Sequence, residues 1–177
     1  CAADCYYEPD IDKYVGHFMP GERTRDEQIA LLNSYVRNFP IVSLEDPLHE
    51  EDFEGHAQAV RELGIEIVGD DLFTTNIERL RQGIEAGACN SMVVKITQVG
   101  TVSEALAACR EALAHGYNVH PCGSRGDRDS VGDFAVGLNA GQVRAAGHNR
   151  LLDIEEDLGR AAAWMGKAAY KGVRNRQ

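Results

Sequence analysis

Ionisable side chains recur at a nearly constant interval along this sequence. Glu45, Asp70, Lys95 and His120 are spaced 25 positions apart, and Arg144 follows 24 positions after His120. Each lies at or near the carboxyl end of an apolar run. Carboxylates bind hard divalent cations, guanidinium groups bind anions, and lysine and histidine transfer protons. If the fold brings these side chains together, they can form a site for acid-base chemistry on an anionic substrate.

The apolar runs that carry these residues are typical of β-strands, because they are short and rich in β-branched side chains. They are PIVSLED at 40–46, IEIVGDD at 65–71, SMVVKI at 91–96 and YNVHP at 117–121, with GQVR at 141–144 predicted as one more short strand. Helix-like stretches that end in glycine lie between the strands, at 52–64, 76–87 and 101–116. This alternation predicts an α/β fold with a parallel sheet covered by helices.

The 25-residue period favours a TIM-type (βα)8 barrel over an open, doubly wound sheet. In a barrel, the carboxyl ends of all strands surround one site. In an open sheet, only residues near the point where the strand order reverses come together. Only five or six strands are visible, and the chain begins with Cys-Ala-Ala and not with Met. We therefore expect residues 1–177 to be the C-terminal portion of a barrel domain, with further strands N-terminal to Cys1.

Helices are also predicted at both ends of this region. The stretch 24–39 has helical spacing of its apolar residues, with Thr24 as N-cap and Glu27 placed for a capping box. The stretch 151–170 is predicted as a terminal helix whose Leu, Ile, Trp and Met side chains belong to the core.

Composition excludes several classes of partner. The net charge of −10, from 18 basic and 28 acidic residues, argues against binding to nucleic acid or to an anionic membrane surface. No apolar run has the length of a membrane span, and no signal-peptide pattern is visible. Five cysteines without a CxxC pair argue against a disulfide framework and a zinc site. A cytoplasmic protein is predicted.

Glu45 and Asp70 are the candidate metal ligands. Carboxylate oxygens from adjacent strand ends suit Mg²⁺, which completes its coordination with water and substrate. The alternative is that such acids cap the helices that follow. We favour the metal for Glu45 and Asp70, and capping or support of the ligands for the acids next to them, Asp46 and Asp71.

Lys95 is the candidate general base. Its apolar neighbours in VVKI predict burial, and lysine is seldom buried unpaired. Desolvation and a nearby divalent cation lower the pKa of a lysine toward neutrality. A base of this kind beside a metal suits removal of a proton next to a carboxylate, with the metal stabilising the enolate.

The motifs PIVSLEDP, VGDDLFTTN, VVKITQVGT, GLNAGQV and LLDIEEDLG resemble, in order and spacing, the C-terminal barrel half of the enolase family. The resemblance implies that Glu45 and Asp70 are two of three Mg²⁺ ligands, that Lys95 is the base and that the protein is a homodimer. It places the third ligand immediately before Cys1, and the general acid and mobile lid further N-terminal. Asp4 stands where the family has serine, so it receives no ligand role.

The sequence departs from the family in the substrate pocket. Where enolases read SHRSGETED, this chain reads VHPCGSRGDRD, with one extra residue before Asp133. His120 matches the family histidine, but Pro121 and Cys122 replace the arginine and serine that hold phosphate. Arg144 matches the lysine that holds the substrate carboxylate, and the connection AAGHNRLL after it is shorter. Ser124 and Arg125 are the candidate replacements at the phosphate site.

Three hypotheses follow. The first is an enolase-type lyase that interconverts 2-phosphoglycerate and phosphoenolpyruvate, or a close analogue, through a rebuilt phosphate pocket. The second is a carboxyphosphonoenolpyruvate synthase of phosphonate antibiotic biosynthesis, whose larger anionic substrate would suit the longer loop. The third is a non-catalytic fragment or pseudoenzyme that acts through binding alone.

Overall fold

The structure is a computed structural model that describes residues 3–16, 20–124, 126, 130–144 and 148–171. In this part of the chain the strands are β1 (Tyr7–Glu8), β2 (Lys13–Val15), β3 (Glu22–Arg23), β4 (Ser43–Glu45), β5 (Glu66–Gly69), β6 (Ser91–Val94) and β7 (Asn118–Pro121). The α-helices are α1 (Arg25–Asn38), α2 (Phe53–Leu63), α3 (Ile77–Ala86), α4 (Ile96–Val99), α5 (Val102–Ala114), α6 (Ser130–Gly137) and α7 (His148–Leu158). No helix within the described ranges has the length and apolar character needed to cross a membrane.

The central sheet is parallel and its strands follow chain order, β4-β5-β6-β7. Sequential neighbours joined by helices are the arrangement of a barrel sector, whereas a doubly wound sheet reverses its order at a switch point. The strand predicted at 141–144 is reduced to a single parallel bridge between Cys122 and Arg144. That bridge is held by Arg144 N donating to Pro121 O at 3.0 Å and Gly123 N donating to Arg144 O at 3.1 Å.

The two faces of the sheet have different environments. Ile67, Met92 and Val119 are fully buried and belong to the main core that the helices cover. Val68 and Val93 point to the opposite face and form a small separate apolar cluster with Cys122. Because side chains alternate along a strand, residues 70, 95 and 120 share the face of Val68 and Val93.

Helix boundaries follow the predicted starts and stops closely. Thr24 caps α1, where its Oγ1 accepts a hydrogen bond from Glu27 N and the Glu27 carboxylate accepts one from Thr24 N at 2.8 Å. Asp52 caps α2 and Asn76 caps α3 through hydrogen bonds from backbone N–H groups of the first turn. The helix-capping alternative for Asp46 and Asp71 is therefore wrong, because each lies five or six positions before the true cap.

The sequence did not predict the small antiparallel sheet β1-β2-β3. Its strands are only two or three residues long, so they give no readable alternation. The sheet packs beside α1, and the Tyr14 hydroxyl of β2 accepts a hydrogen bond from His49 N at 2.9 Å.

The single C-terminal helix predicted over 151–170 is wrong. Helix α7 ends at Leu158, and short 3-10 helices follow at Gly159–Ala161 and Gly166–Ala169. Gly159 and Gly166 have φ angles of +51° and +54°, which interrupt the helical path. The apolar side chains predicted as core are largely exposed, with Trp164 at 91% and Leu152 at 62%.

Candidate active site

The described ends of β4 and β5 bring three carboxylates together. Glu45, Asp46 and Asp70 each offer an oxygen, and these oxygens lie within 4.8 Å of one another. Asp46 and Asp70 are buried, and Glu45 is half-buried. The sequence predicted that Glu45 and Asp70 would meet, and the structure places them in one group.

Lys95 lies against this group, directly after β6. Its Nζ donates to Asp70 Oδ2 at 2.5 Å, and only 4% of Lys95 and 5% of Asp70 are exposed. Gln98, in α4, donates from Nε2 to the other oxygen, Asp70 Oδ1, at 2.8 Å. Burying a charge is costly unless it is paired and hydrogen-bonded, and both oxygens of Asp70 meet that condition.

Asp46 orients the backbone that carries Asp70. Its Oδ1 and Oδ2 accept hydrogen bonds from Asp70 N and Asp71 N, each at 2.9 Å. Burial raises the pKa of the Asp46 carboxyl to about 7, with a further rise from the charges of Asp70 and Asp71, although the backbone hydrogen bonds oppose the shift. Asp46 therefore holds the backbone of the candidate ligand Asp70, in agreement with the supporting role considered for it from the sequence.

Arg144 bridges the two candidate metal ligands. One of its terminal nitrogens pairs with Glu45 Oε1, the other lies 3.4 Å from Asp70 Oδ2, and Nε donates to Cys122 Sγ at 3.1 Å. The Arg144 guanidinium thus contacts both Glu45 and Asp70. Its predicted role in binding substrate stays a prediction.

His120 lines a cavity of about 500 Å³ on the inward face of the sheet, together with Ser43, Gln142, Trp164, Lys167 and Tyr170. Its buried Nδ1 has no hydrogen-bond partner among the described residues. Burial lowers the pKa of His120, and the nearby Arg144 charge adds to the fall, while Glu66 and Asp70 oppose it. These shifts favour the neutral form of the imidazole, which lines the cavity.

The loop after β7 is only partly described. Ser124 is exposed, and its Oγ accepts a hydrogen bond from Cys122 Sγ at 3.3 Å. Arg125, the predicted replacement for the family's phosphate-binding arginine, lies outside the described residues.

Asp4 does not belong to the carboxylate group. It pairs with His49 Nδ1, and the His49 ring stacks on Tyr7 with 4.2 Å between ring centroids. The sequence argument that withheld a metal-binding role from Asp4 agrees with this arrangement.

The sequence analysis did not identify two neutral residues of the site, Thr75 and Gln98. Both lie inside motifs that were singled out, VGDDLFTTN and VVKITQVGT. Neither is ionisable, so the charge spacing that revealed Glu45 and Lys95 gave no signal for them.

The donor set fits Mg²⁺. All the ligand atoms that Glu45, Asp46 and Asp70 offer are carboxylate oxygens, which are the hard ligands that this ion takes. No sulfur or imidazole ligand of the kind preferred by zinc is present in the group, as far as the described chain extends.

Comparison with known proteins gives a consistent result. Residues 1–173 match the family model described as "Enolase, C-terminal TIM barrel domain". The chain is 47% identical over 175 residues to a protein named enolase from Methanopyrus kandleri, covering 91% of this chain and 40% of that protein. A protein named enolase from Methanococcus aeolicus is 43% identical over 172 residues, with 90% and 40% covered. One from Thermococcus gammatolerans is 44% identical over 181 residues, with 94% and 41% covered.

Proposed function

This chain belongs to the enolase family, and we propose that it supplies the base and two metal-binding carboxylates of a Mg²⁺-dependent carbon-oxygen lyase. The substrate would be 2-phosphoglycerate or a close analogue. The chain spans about 40% of the length of the relatives named above, so activity is a proposal for the protein encoded by the complete reading frame. The observation that carries the proposal is the buried contact of 2.5 Å between Lys95 Nζ and Asp70, inside the three-carboxylate group.

Glu45 and Asp70 would hold the metal. When bound there, Mg²⁺ would supply the positive charge that stabilises the enolate form of a substrate carboxylate. Asp46 would keep Asp70 in place through its hydrogen bonds to the backbone N–H groups of Asp70 and Asp71.

Lys95 would take the proton from the carbon next to the carboxylate. In its neutral form Nζ accepts the proton, and Asp70 Oδ2 stabilises the ammonium that results. The electron pair of the broken C–H bond forms the enolate, and its collapse to a carbon-carbon double bond expels hydroxide from the neighbouring carbon. An acid must protonate that hydroxide, and none of the residues assigned here takes that role.

The substrate anion would be held by His120, Ser124, Arg125 and Arg144. Arg144 is the best supported of these, because a guanidinium matches a carboxylate in two parallel hydrogen bonds. To bind substrate it would exchange Glu45 for the substrate carboxylate.

The test is formation of phosphoenolpyruvate from 2-phosphoglycerate with Mg²⁺, followed by ultraviolet absorbance on the protein expressed from the complete reading frame. Turnover that EDTA abolishes and Mg²⁺ restores would support the proposal. A folded protein without turnover would contradict it and favour a binding role without catalysis. Product formed only after addition of phosphonoformate would instead favour a carboxyphosphonoenolpyruvate synthase.

Assembly and location form part of the same proposal. We propose a homodimer, to be measured by light scattering coupled to size-exclusion chromatography. A cytoplasmic location is part of the same proposal.

A further inference from the structure

Four residues form a closed ring of hydrogen bonds around the candidate base. Lys95 Nζ donates to Asp70 Oδ2 at 2.5 Å, and Gln98 Nε2 donates to Asp70 Oδ1 at 2.8 Å. Thr75 Oγ1 donates to Gln98 Oε1 at 2.6 Å, and it accepts from Lys95 N at 3.0 Å. The ring therefore joins the loop after β5 to the loop after β6 through two neutral side chains.

One arrangement of the hydrogen atoms satisfies every contact of the ring. Because Thr75 Oγ1 accepts from Lys95 N, its single proton is free to be donated. The shorter of its two contacts is with Gln98 Oε1 at 2.6 Å, against 3.3 Å to Val93 O. An ionised Asp70 offers only acceptors, so the NH₂ side of the Gln98 amide faces Asp70 and its carbonyl side faces Thr75. Asp70 then receives a donor on each oxygen, and its carboxylate cannot rotate without breaking one of them.

The backbone at Thr75 is held in an unfavourable conformation. Thr75 has φ of +55° and is fully buried, and the preceding residue, Thr74, has φ of +47°. A β-branched residue rarely adopts positive φ, and such strain persists only where the surroundings impose it. Here the strained turn delivers the Thr75 hydroxyl to Gln98.

We propose that Thr75 and Gln98 are positioning residues that fix the Asp70 carboxylate for the metal and for Lys95. The inference rests on the proposed function, since it assumes that Asp70 binds Mg²⁺. Neither residue is assigned here as a metal ligand or as the base. Gln98 acts on the Asp70 carboxylate, and Thr75 acts on Gln98 and on the backbone of Lys95.

The experiment measures Mg²⁺ affinity by isothermal titration calorimetry, with kcat and KM for 2-phosphoglycerate, on variants of the complete protein. Thr75→Val keeps the side-chain shape and removes the hydroxyl, and Gln98→Met keeps the length and removes the amide. Each is expected to weaken Mg²⁺ binding and lower kcat by about 10-fold or more, while KM changes far less. Thr75→Ser, which keeps the hydroxyl, is expected to restore parental values.

Thr74→Val is the matched control. Thr74 has a similar positive φ, and its hydroxyl donates to Phe73 O at 2.8 Å, outside the ring. It is expected to keep the parental Mg²⁺ affinity. Equal weakening in Thr74→Val and Thr75→Val would overturn the inference, because a general disturbance of the loop would then explain both.

The outcomes separate this inference from the proposed function. Suppose that Mg²⁺ binding is weakened in Thr75→Val and Gln98→Met and that the parent forms no phosphoenolpyruvate. This result would support the positioning role of Thr75 and Gln98 and would contradict the proposed function. Turnover with unchanged Mg²⁺ affinity in both variants would contradict the positioning role of Thr75 and Gln98 and would leave the proposed function unaffected. A parent that binds no Mg²⁺ would overturn both. If Thr75→Val fails to fold, Gln98→Met decides, since Gln98 is only half-buried.

Discussion

Lys95 is the residue on which the proposed chemistry depends most directly. Its amine is almost fully buried and contacts Asp70, while the candidate metal-binding oxygens belong to Glu45 and Asp70. We predict that Lys95→Ala lowers exchange of the substrate C2 hydrogen with solvent, and phosphoenolpyruvate formation, by about 10²-fold to 10⁴-fold. Because Lys95 also contacts Asp70, Mg²⁺ affinity is expected to change as well, so the exchange is measured at saturating Mg²⁺. Hydrogen exchange is followed by NMR in D₂O, and metal binding by calorimetry.

Lys95→Arg is the matched control for charge. Arginine keeps a cation near Asp70 but is not deprotonated in proteins, so it cannot serve as the base. It should be as inactive as Lys95→Ala even if it folds and binds Mg²⁺. An active Lys95→Arg enzyme would rule out a proton transfer through this side chain.

Sequence reasoning placed the charged residues of the site and missed the neutral ones. Glu45, Asp70 and Lys95 share a strand-end register, so their convergence follows from the period of the fold. The position of the Thr75 hydroxyl depends on a left-handed backbone conformation at Thr75. The sequence does not predict that conformation, because threonine rarely adopts it. The orientation of the Gln98 amide follows from the position of the Thr75 hydroxyl, so the sequence contains no signal for Gln98 either.

Helix α2 contains a buried histidine, and we expect it to make the free energy of unfolding depend on pH. His56 is 0% exposed, its Nδ1 lies 2.8 Å from Asp52 O, and its Nε2 has no partner among the described residues. Burial lowers the pKa of His56 from its ordinary value of 6.5, although the contacts with Asp52 oppose the shift. Below that ordinary value, the unfolded chain binds a proton that the folded chain does not.

The stabilising contribution of neutral His56 is therefore fully present above about pH 6.5 and is lost as the pH falls toward the folded pKa, with a limiting slope of about 1.4 kcal/mol per pH unit. We predict that His56→Leu makes the free energy of unfolding less dependent on pH between about pH 7 and about pH 5. Urea denaturation at several pH values measures this. His115→Gln, at an exposed position after α5, is the control and should follow the parent. A parallel pH profile for His56→Leu would contradict the prediction.

Helix α3 approaches the sheet closely because of a glycine. The Phe73 ring lies between Gly69 of β5 and Gly83 of α3, and a Cβ on Gly83 would lie 2.4 Å from Phe73 Cε1. Alanine normally favours a helix over glycine by about 1 kcal/mol. Here we predict that Gly83→Ala lowers the free energy of unfolding by about 1–3 kcal/mol, because the Phe73 ring must move.

Gly137→Ala in α6 is the matched control for Gly83→Ala. A Cβ there would meet nothing within 4 Å. It should be neutral or stabilising by up to about 1 kcal/mol in the same urea titration. Stabilisation of both variants by the same amount would show that Phe73 adapts freely.

The sequence predicted helices correctly where apolar spacing and capping residues occur together. It failed where the backbone conformation of single residues determines whether a helix continues. The helices at 24–39, 52–64, 76–87 and 101–116 combine apolar spacing with caps, so their existence follows from the sequence. The stretch 151–170 has the same spacing, but two glycines with positive φ break it after Leu158. Glycine permits such a conformation without requiring it, so the sequence alone could not decide between a helix and a break.

On the inward face of the sheet, the candidate site lies at the carboxyl ends of the strands and a buried carboxylate lies at their amino ends. Asp70 and Lys95 lie at the carboxyl ends of the strands, and the apolar side chains of Val68 and Val93 come before them. At the opposite ends lies Glu66, a fully buried carboxylate. In barrels, the carboxyl ends carry catalysis and the amino ends carry stability, so Glu66 is expected to act on folding.

The contacts of Glu66 tie distant parts of the chain together. Its carboxylate accepts hydrogen bonds from Asn118 Nδ2 at 2.7 Å, Gln142 Nε2 at 2.9 Å and Lys171 N at 3.0 Å. Asn118 and Gln142 also donate to Ala169 O, at 2.7 Å and 3.1 Å. The Glu66 carboxylate thus holds Lys171 of the C-terminal segment directly. It also accepts hydrogen bonds from the two side chains, Asn118 and Gln142, that hold Ala169.

We predict that Glu66→Gln lowers the free energy of unfolding by about 1–3 kcal/mol, because the new amide presents a donor to groups that are themselves donors. The same change should release the segment after Leu158, which limited proteolysis detects as cleavage there before global unfolding. Glu85→Gln, which removes an exposed charge on α3, is the control and should stay within about 0.5 kcal/mol of the parent. If Glu66→Gln unfolds at the parental urea concentration and its C-terminal segment resists protease as the parent does, the carboxylate is not what holds that segment to the sheet.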